Sequence, residues 1–224
     1  MRGRALAAEA IGTFMLVFIG PGAAAVESWS PAAVGPVGVA LAFGFAIAAG
    51  VYTLGTVSGA HFNPAVTAGF WLGGRFPRGD VLPYVAAQLA GALGAASLLR
   101  VVLGPAARAA ATVAHVGVVS AVAVELILTF FLMLVILAVA ADAQVAGGIG
   151  GLVVGITVAC DALMGGALTG ASMNPARSFG PAVATGTWAG HWIYWVGPLL
   201  GAGLAVAAHD YLRKGSSHDR RARS

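Results

Sequence analysis

Long stretches of this chain carry no ionised side chain. No Asp, Glu, Lys or Arg occurs over residues 28–74, 81–99 or 178–209, and shorter uncharged runs occupy 10–26, 126–141 and 143–160. A helix that spans a hydrocarbon core needs about 20 mostly apolar residues. The runs predict six such spans, over roughly 5–26, 34–56, 81–103, 118–140, 147–167 and 189–212. Two apolar pieces are left over, one from Asn63 to near Gly73 and one from Asn174 to near Thr185. A helical piece of nine or ten residues reaches about 14 Å, half of a core about 30 Å thick. These two pieces are predicted to be half-helices.

The pattern occurs twice. Glu9, Thr13 and Phe14 correspond to Glu125, Thr129 and Phe130; Asn63-Pro64-Ala65 corresponds to Asn174-Pro175-Ala176; Gly91 corresponds to Gly201. The offsets run from 110 (Gly91 to Gly201) to 116 residues (Glu9 to Glu125). Each half then holds three spans and one half-helix. Because three is odd, the second half runs upside down relative to the first. Such an inverted repeat places a permeation path at the midplane between the halves. The fold class predicted is an all-α membrane protein with six transmembrane helices and two re-entrant half-helices. It forms one domain over 1–212, with repeats at about 5–103 and 118–212, followed by a basic tail over 213–224.

Composition agrees with a lipid solvent. Apolar residues make up 59% of the chain and charged residues 9%, against about 25% charged in soluble domains. The net charge of +4 is not a nucleic-acid signal. Nine of the twelve basic residues gather at Arg2 and Arg4, at Arg75 and Arg78, and at Arg213, Lys214, Arg220, Arg221 and Arg223. The positive-inside rule puts all three groups in the cytoplasm. Cys160 is the only cysteine, which excludes a disulfide framework or cysteine metal cluster. The first 25 residues imitate a signal peptide, but Glu9 interrupts the apolar run, so the segment is read as a retained first span. The 33 glycines and many alanines suit close helix packing in lipid.

Asn-Pro is helix-start chemistry, since Asn is a strong N-cap and Pro is favoured at the first helical position. Both starts fall inside apolar sequence. Half-helices of an inverted repeat would meet N-terminus to N-terminus, each carrying roughly half a positive charge. The Asn63 and Asn174 amides can donate N–H to a water between them, and the combined field repels hydronium and alkali cations. The backbone just before each Asn cannot face lipid. The carbonyls of Gly59, Ala60, His61 and Phe62, and of Gly170, Ser172 and Met173, are therefore candidates to line a wet path. Arg177 is a charge at membrane depth, functional by default; the other reading is a structural Arg satisfied by loop carbonyls. Glu9 and Glu125 read either as a proton relay or as acceptors for loop N–H groups. His61 reads as a pH gate or as a pore carbonyl with a structurally placed ring. The direction of Asp161 stays open.

The segments Ser58-Gly59-Ala60-His61-Phe62-Asn63-Pro64-Ala65-Val66 and Ser172-Met173-Asn174-Pro175-Ala176-Arg177-Ser178-Phe179-Gly180-Pro181 resemble the aquaporin, or major intrinsic protein, family. The resemblance covers about 5–212. It implies a right-handed six-helix bundle, a homotetramer with one pore per subunit, and Glu9 and Glu125 as structural loop anchors. It also implies an outer selectivity filter of Phe43, Ala162, Ala171 and Arg177. Water-selective members resemble one another in having His at the position of Ala162, so the opening here is expected to be wider and less polar. The stretch 162–181 is similar to plant tonoplast-type members, which as a group also pass ammonia or urea. Glycerol facilitators have Asp after the Arg and Lys four residues later, where this chain has Ser178 and Ala182; Tyr194-Trp195 matches the water-type pair.

The function this implies is a passive channel for water, with ammonia, urea or hydrogen peroxide as further solutes. No catalytic step, metal or cofactor is expected. The expected setting is a bacterial plasma (inner) membrane, multi-pass, with both termini cytoplasmic and lipid as the surrounding partner. The alternatives are a glycerol or small-solute facilitator, a secondary transporter, which would need a coupling-ion site, and a purely structural membrane protein.

Overall fold

A computed structural model describes residues 2–141 and 148–221. The described residues form helices and connecting turns, with no strand among them. In chain order the helices are α1 (Arg2–Trp29), α2 (Gly35–Ser58), α3 (Pro64–Leu72), α4 (Arg78–Leu103), α5 (Val118–Ala141), α6 (Gly150–Thr169), α7 (Pro175–Thr185) and α8 (Ile193–Arg221). A 3-10 segment, Gly104–Ala110, follows α4. By length and composition α1, α2, α4 with the 3-10 segment, α5 and α6 can each cross a membrane. The sixth span is α8, uncharged over 193–209 and polar beyond; it packs along α5 as α1 packs along α4. The halves meet where α2 crosses α6. Each half-helix leans on the third span of the opposite half, α3 on α8 and α7 on α4.

Glycine sets these crossings. A Cβ on Gly91 would run into the Ala10 carbonyl, and one on Gly201 into the Leu126 carbonyl, so α1/α4 and α5/α8 touch backbone to backbone at matching places. Gly44 and Gly155 do the same across the two halves, where a Cβ on either would sit 2.5 Å from the other's carbonyl oxygen. Gly201→Ala is expected to lower stability by about 1–3 kcal/mol, because overpacked backbone cannot yield easily. Gly203→Ala, whose added carbon would meet only Leu72 at 3.9 Å, is expected to change little. Thermal unfolding of the two variants in detergent separates them.

The half-helices begin as cap chemistry dictates. Asn63 is extended (φ −158°, ψ 121°) and its side chain accepts the Ala65 N–H. Asn174 (φ −151°, ψ 107°) accepts from Ala176 and Arg177. Each Asn is followed by Pro at the first helical position.

Helix ends differ from the hydropathy-based spans. The helix α1 covers 2–29 rather than 5–26, and α4 starts at Arg78 rather than 81. Hydropathy marks where lipid begins, and helical hydrogen bonding continues past it. The last span starts at Ile193 instead of 189, because Gly190 adopts φ 62° in a turn whose carbonyl accepts the Ile193 N–H. It runs to Arg221 and not 212, so the helix continues into the basic tail. The fifth span starts at Gly150, and residue 147, where it was expected to begin, lies outside the described residues.

Candidate functional site

Two re-entrant loops connect α2 to α3 and α6 to α7, and they share one backbone course. Gly59, Ala60 and Phe62 have φ of 87°, 53° and 49°; Gly170, Ala171 and Met173 have 83°, 42° and 52°. A non-glycine residue held in this region is strained by about 1–3 kcal/mol and persists only where its surroundings fix it.

Two buried carboxylates do the fixing. Glu9 Oε1 accepts from Ser58 Oγ at 2.7 Å and the His61 N–H at 3.0 Å. Its Oε2 accepts the Phe62 N–H and Gln88 Nε2, each at 2.7 Å. Glu125 Oε1 accepts from Thr169 Oγ1 at 2.7 Å and the Ser172 N–H at 2.8 Å, and Oε2 accepts the Met173 N–H at 2.7 Å. The Ser58 and Thr169 hydroxyls in turn accept the N–H groups of Ala60 and Ala171. Both carboxylates are fully buried, and neither borders the cavity described below. That arrangement suits loop anchors.

The two helix starts are joined across the midplane. Asn63 Nδ2 donates to the Met173 carbonyl and Asn174 Nδ2 to the Phe62 carbonyl, both at 2.8 Å. With Oδ1 of each Asn holding its own helix start, one N–H per amide remains for a ligand.

A cavity of about 270 Å³ runs past these residues. The spanning helices line it with apolar side chains, among them Leu16, Phe43, Ile47, Val51, Leu132, Ile136, Val154 and Val158. The loops and half-helix starts add Gly59, Ala60, His61, Asn63, Ser172, Met173, Asn174 and Arg177. Donors and acceptors set among apolar side chains can replace a solute's hydration only in part, which permits binding without retention.

Of the expected loop carbonyls, those of Phe62 and Gly170 belong to residues behind the cavity wall. Phe62 is fully buried and bonded to Asn174; Gly170 O accepts Arg177 Nη2 at 3.5 Å. His61 has its ring stacked on Phe70 at 4.7 Å and edge-on to Phe76 at 4.8 Å, with Nδ1 3.1 Å from Thr67 Oγ1.

Arg177 is buried, its guanidinium carbon 5.0 Å above the centre of the Phe43 ring. Nη1 donates to the Ala110 carbonyl at 3.0 Å, while Nε has no partner among the described residues. Phe43 and Arg177 border the cavity; Ala162 and Ala171 do not, and pack in the same apolar cluster as Phe43. Asp161 is buried, outside the cavity lining, with Oδ2 unpartnered among the described residues. Cys160 next to it is exposed.

Several contributors have no motif to announce them. Gln88 is fully buried and bonds both Glu9 and Thr67. Its signal was present, as a polar amide inside an otherwise largely apolar span. Ala110 and Thr112 come from the connection between the halves. Ala110 holds Arg177 through a carbonyl, which every residue has, and Thr112 donates to Ser178 Oγ at 2.8 Å.

Known proteins share this architecture. The family model described as Major intrinsic protein matches residues 2–209. Aquaporin NIP1-3 of Oryza sativa subsp. japonica is 42% identical over 207 residues, covering 92% of this chain and 72% of that protein. Probable aquaporin TIP4-2 of the same plant is 53% identical over 159 residues, 70% of this chain and 62% of that protein. Among solved structures, an aquaglyceroporin from Plasmodium falciparum superposes with a TM-score of 0.84 at 28% identity, covering 94% of this chain and 96% of its own. Two capped half-helices, the carboxylates that hold their loops and the cavity between them thus sit in a sequence that matches along nearly its whole length: the chain belongs to the major intrinsic protein family of membrane channels and is not an enzyme.

Proposed function

We propose that this channel passes water, and with it small neutral solutes such as ammonia, urea and hydrogen peroxide. The observation that carries the reading is a cavity bordered by Arg177, Asn174, Asn63 and His61 together with apolar side chains such as Leu16, Ile47, Leu132 and Val158. Asn63 and Asn174 act as the midplane site, each offering one free N–H to a water oxygen while the half-helix dipoles repel cations. Phe43, Ala162, Ala171 and Arg177 act as the outer filter. The methyl groups of Ala162 and Ala171 leave this filter wider than a histidine would, which favours urea. Ser178 and Ala182, in place of acidic and basic residues, favour urea over glycerol as the larger solute.

The channel works as a homotetramer in a plasma membrane, with both termini and the basic tail on the cytoplasmic side. The basic residues at Arg2 and Arg4, Arg75 and Arg78, and in the tail support this orientation. Their alternative placement outside would reverse the charge bias. The short connections and Ala, Gly and Arg richness support a bacterial host.

The test is stopped-flow light scattering on proteoliposomes with urea and glycerol gradients, comparing wild type with Ala162→His. Wild type is expected to pass urea faster than glycerol, and the histidine variant to lose the urea flux by about tenfold while keeping water flux. A loss of about 1.4 kcal/mol in barrier terms corresponds to that factor. Equal urea flux in the two proteins would remove Ala162 from the filter. Glycerol flux equal to or above urea flux would favour the glycerol-facilitator reading.

A further inference from the structure

Behind the pore loops stand two tyrosines that no motif singles out as a pair. Tyr84 on α4 and Tyr194 on α8 are 110 residues apart, the same offset as Gly91 and Gly201. Tyr84 Oη donates to the Ser58 carbonyl at 3.0 Å, and Tyr194 Oη donates to the Thr169 carbonyl at 2.9 Å. Ser58 and Thr169 are the last residues of α2 and α6. A carbonyl at a helix end has no intrahelical partner, and at membrane depth no bulk water stands in. In each half the tyrosine supplies the donor. It does so one residue before the chain turns left-handed at Gly59 or Gly170.

We propose that Tyr84 and Tyr194 are paired positioning residues of the pore, and that of the two only Tyr194 acts on solute selectivity, through the filter residues next to it in the loop. The asymmetry follows from what comes next in each loop. Freeing the Thr169 carbonyl leaves the 169–170 peptide held only by its N–H, which donates to the Gly166 carbonyl at 3.0 Å, and so loosens the turn that follows. The next carbonyl, that of Gly170, accepts Arg177 Nη2 at 3.5 Å, and the next residue is Ala171 of the outer filter. Arg177 then loses one of its two carbonyl partners, those of Ala110 and Gly170. Freeing the Ser58 carbonyl re-aims Gly59 and Ala60, which line the cavity on the His61 side, away from Arg177. The hydroxyls of Ser58 and Thr169 remain bound to Glu9 and Glu125 in both cases, so the loops shift rather than collapse.

The inference rests on the reading of the loops as pore wall. Tyr84→Phe and Tyr194→Phe keep the buried rings and remove only the hydroxyls. Reconstituted at matched protein density, both variants are expected to lower water permeability. Tyr194→Phe is expected to raise the urea-to-water permeability ratio about two- to fivefold, the scale of one net hydrogen bond, while Tyr84→Phe leaves the ratio unchanged. Thermal melting of both in detergent supplies the control, since equal loss of stability with unequal ratios separates positioning from general loosening. Unchanged water and urea permeabilities in both variants, beside an active wild type, overturn the inference and leave the channel reading intact. A ratio that moves equally in both overturns the assignment to Tyr194. A wild type with no flux above empty liposomes overturns the channel reading and this inference with it.

Discussion

Arg177→Val is expected to let cations through. In the structure the guanidinium lies over Phe43, is buried, and is tied to the Ala110 carbonyl at 3.0 Å. At an effective dielectric constant near 20, a unit charge repels a like charge 4 Å away by about 4 kcal/mol. Partial hydration reduces that figure, so roughly one to three decades of cation or proton permeability should appear on its removal. The Asn pair and the half-helix dipoles remain, so the leak stays finite. Water flux should stay within about twofold, because the polar lining at Asn63 and Asn174 is untouched, on the view that only the lost charge term is selective. Proton flux into proteoliposomes under a clamped potential, read with an internal pH dye, measures this. A leak equal to that of wild type would make Arg177 a structural residue satisfied by loop carbonyls and would place the cation barrier at the midplane alone.

The second large effect is expected from Glu125. Its two oxygens accept three hydrogen bonds, two of them from consecutive backbone N–H groups in a loop where Ala171 and Met173 hold positive φ. Glu125→Ala leaves Thr169, Ser172 and Met173 donors without an acceptor at a depth with no solvent. Hydrogen bonds to a charged group contribute about 1.5–3 kcal/mol each, enough together to release the strained loop. Folded protein recovered in detergent should drop sharply, and what is recovered should carry no water flux. Glu125→Gln is a finer probe. Its amide oxygen replaces one acceptor, but its NH₂ faces a second donor, so an intermediate loss is expected. Wild-type flux and melting temperature in Glu125→Ala would mean the loop holds itself.

These two sites show where the sequence is readable and where it is not. The half-helix starts are legible because Asn-Pro cap chemistry is local, and Asn63 and Asn174 each bond the N–H two residues on. The repeat is legible from spacing alone, and it pairs Glu9 with Glu125 and Gly91 with Gly201. What holds Arg177 is not legible, since Ala110 acts through its backbone from 67 positions away. Gln88 reaches Glu9 across 79 positions, and only the folded α1/α4 crossing brings them together. Helix ends also escape hydropathy. The run of apolar residues reports the thickness of lipid, while the helix α8 continues through polar residues to Arg221 because its backbone bonds need no lipid. The split of the filter is a further case. Phe43 and Arg177 border the cavity, while Ala162 and Ala171 are not among its lining residues and pack in the Phe43 cluster, a difference that residue identity at four positions does not give.

Every feature of the site converges on an open passive path for water. The most direct measurement is the osmotic water permeability of wild-type proteoliposomes against protein-free liposomes, taken by stopped flow over a range of temperatures. Shrinkage far faster than in empty liposomes is expected, with a weak temperature dependence typical of movement through a preformed pore. Shrinkage no faster than in empty liposomes, or with the steep temperature dependence of the bare bilayer, would contradict it.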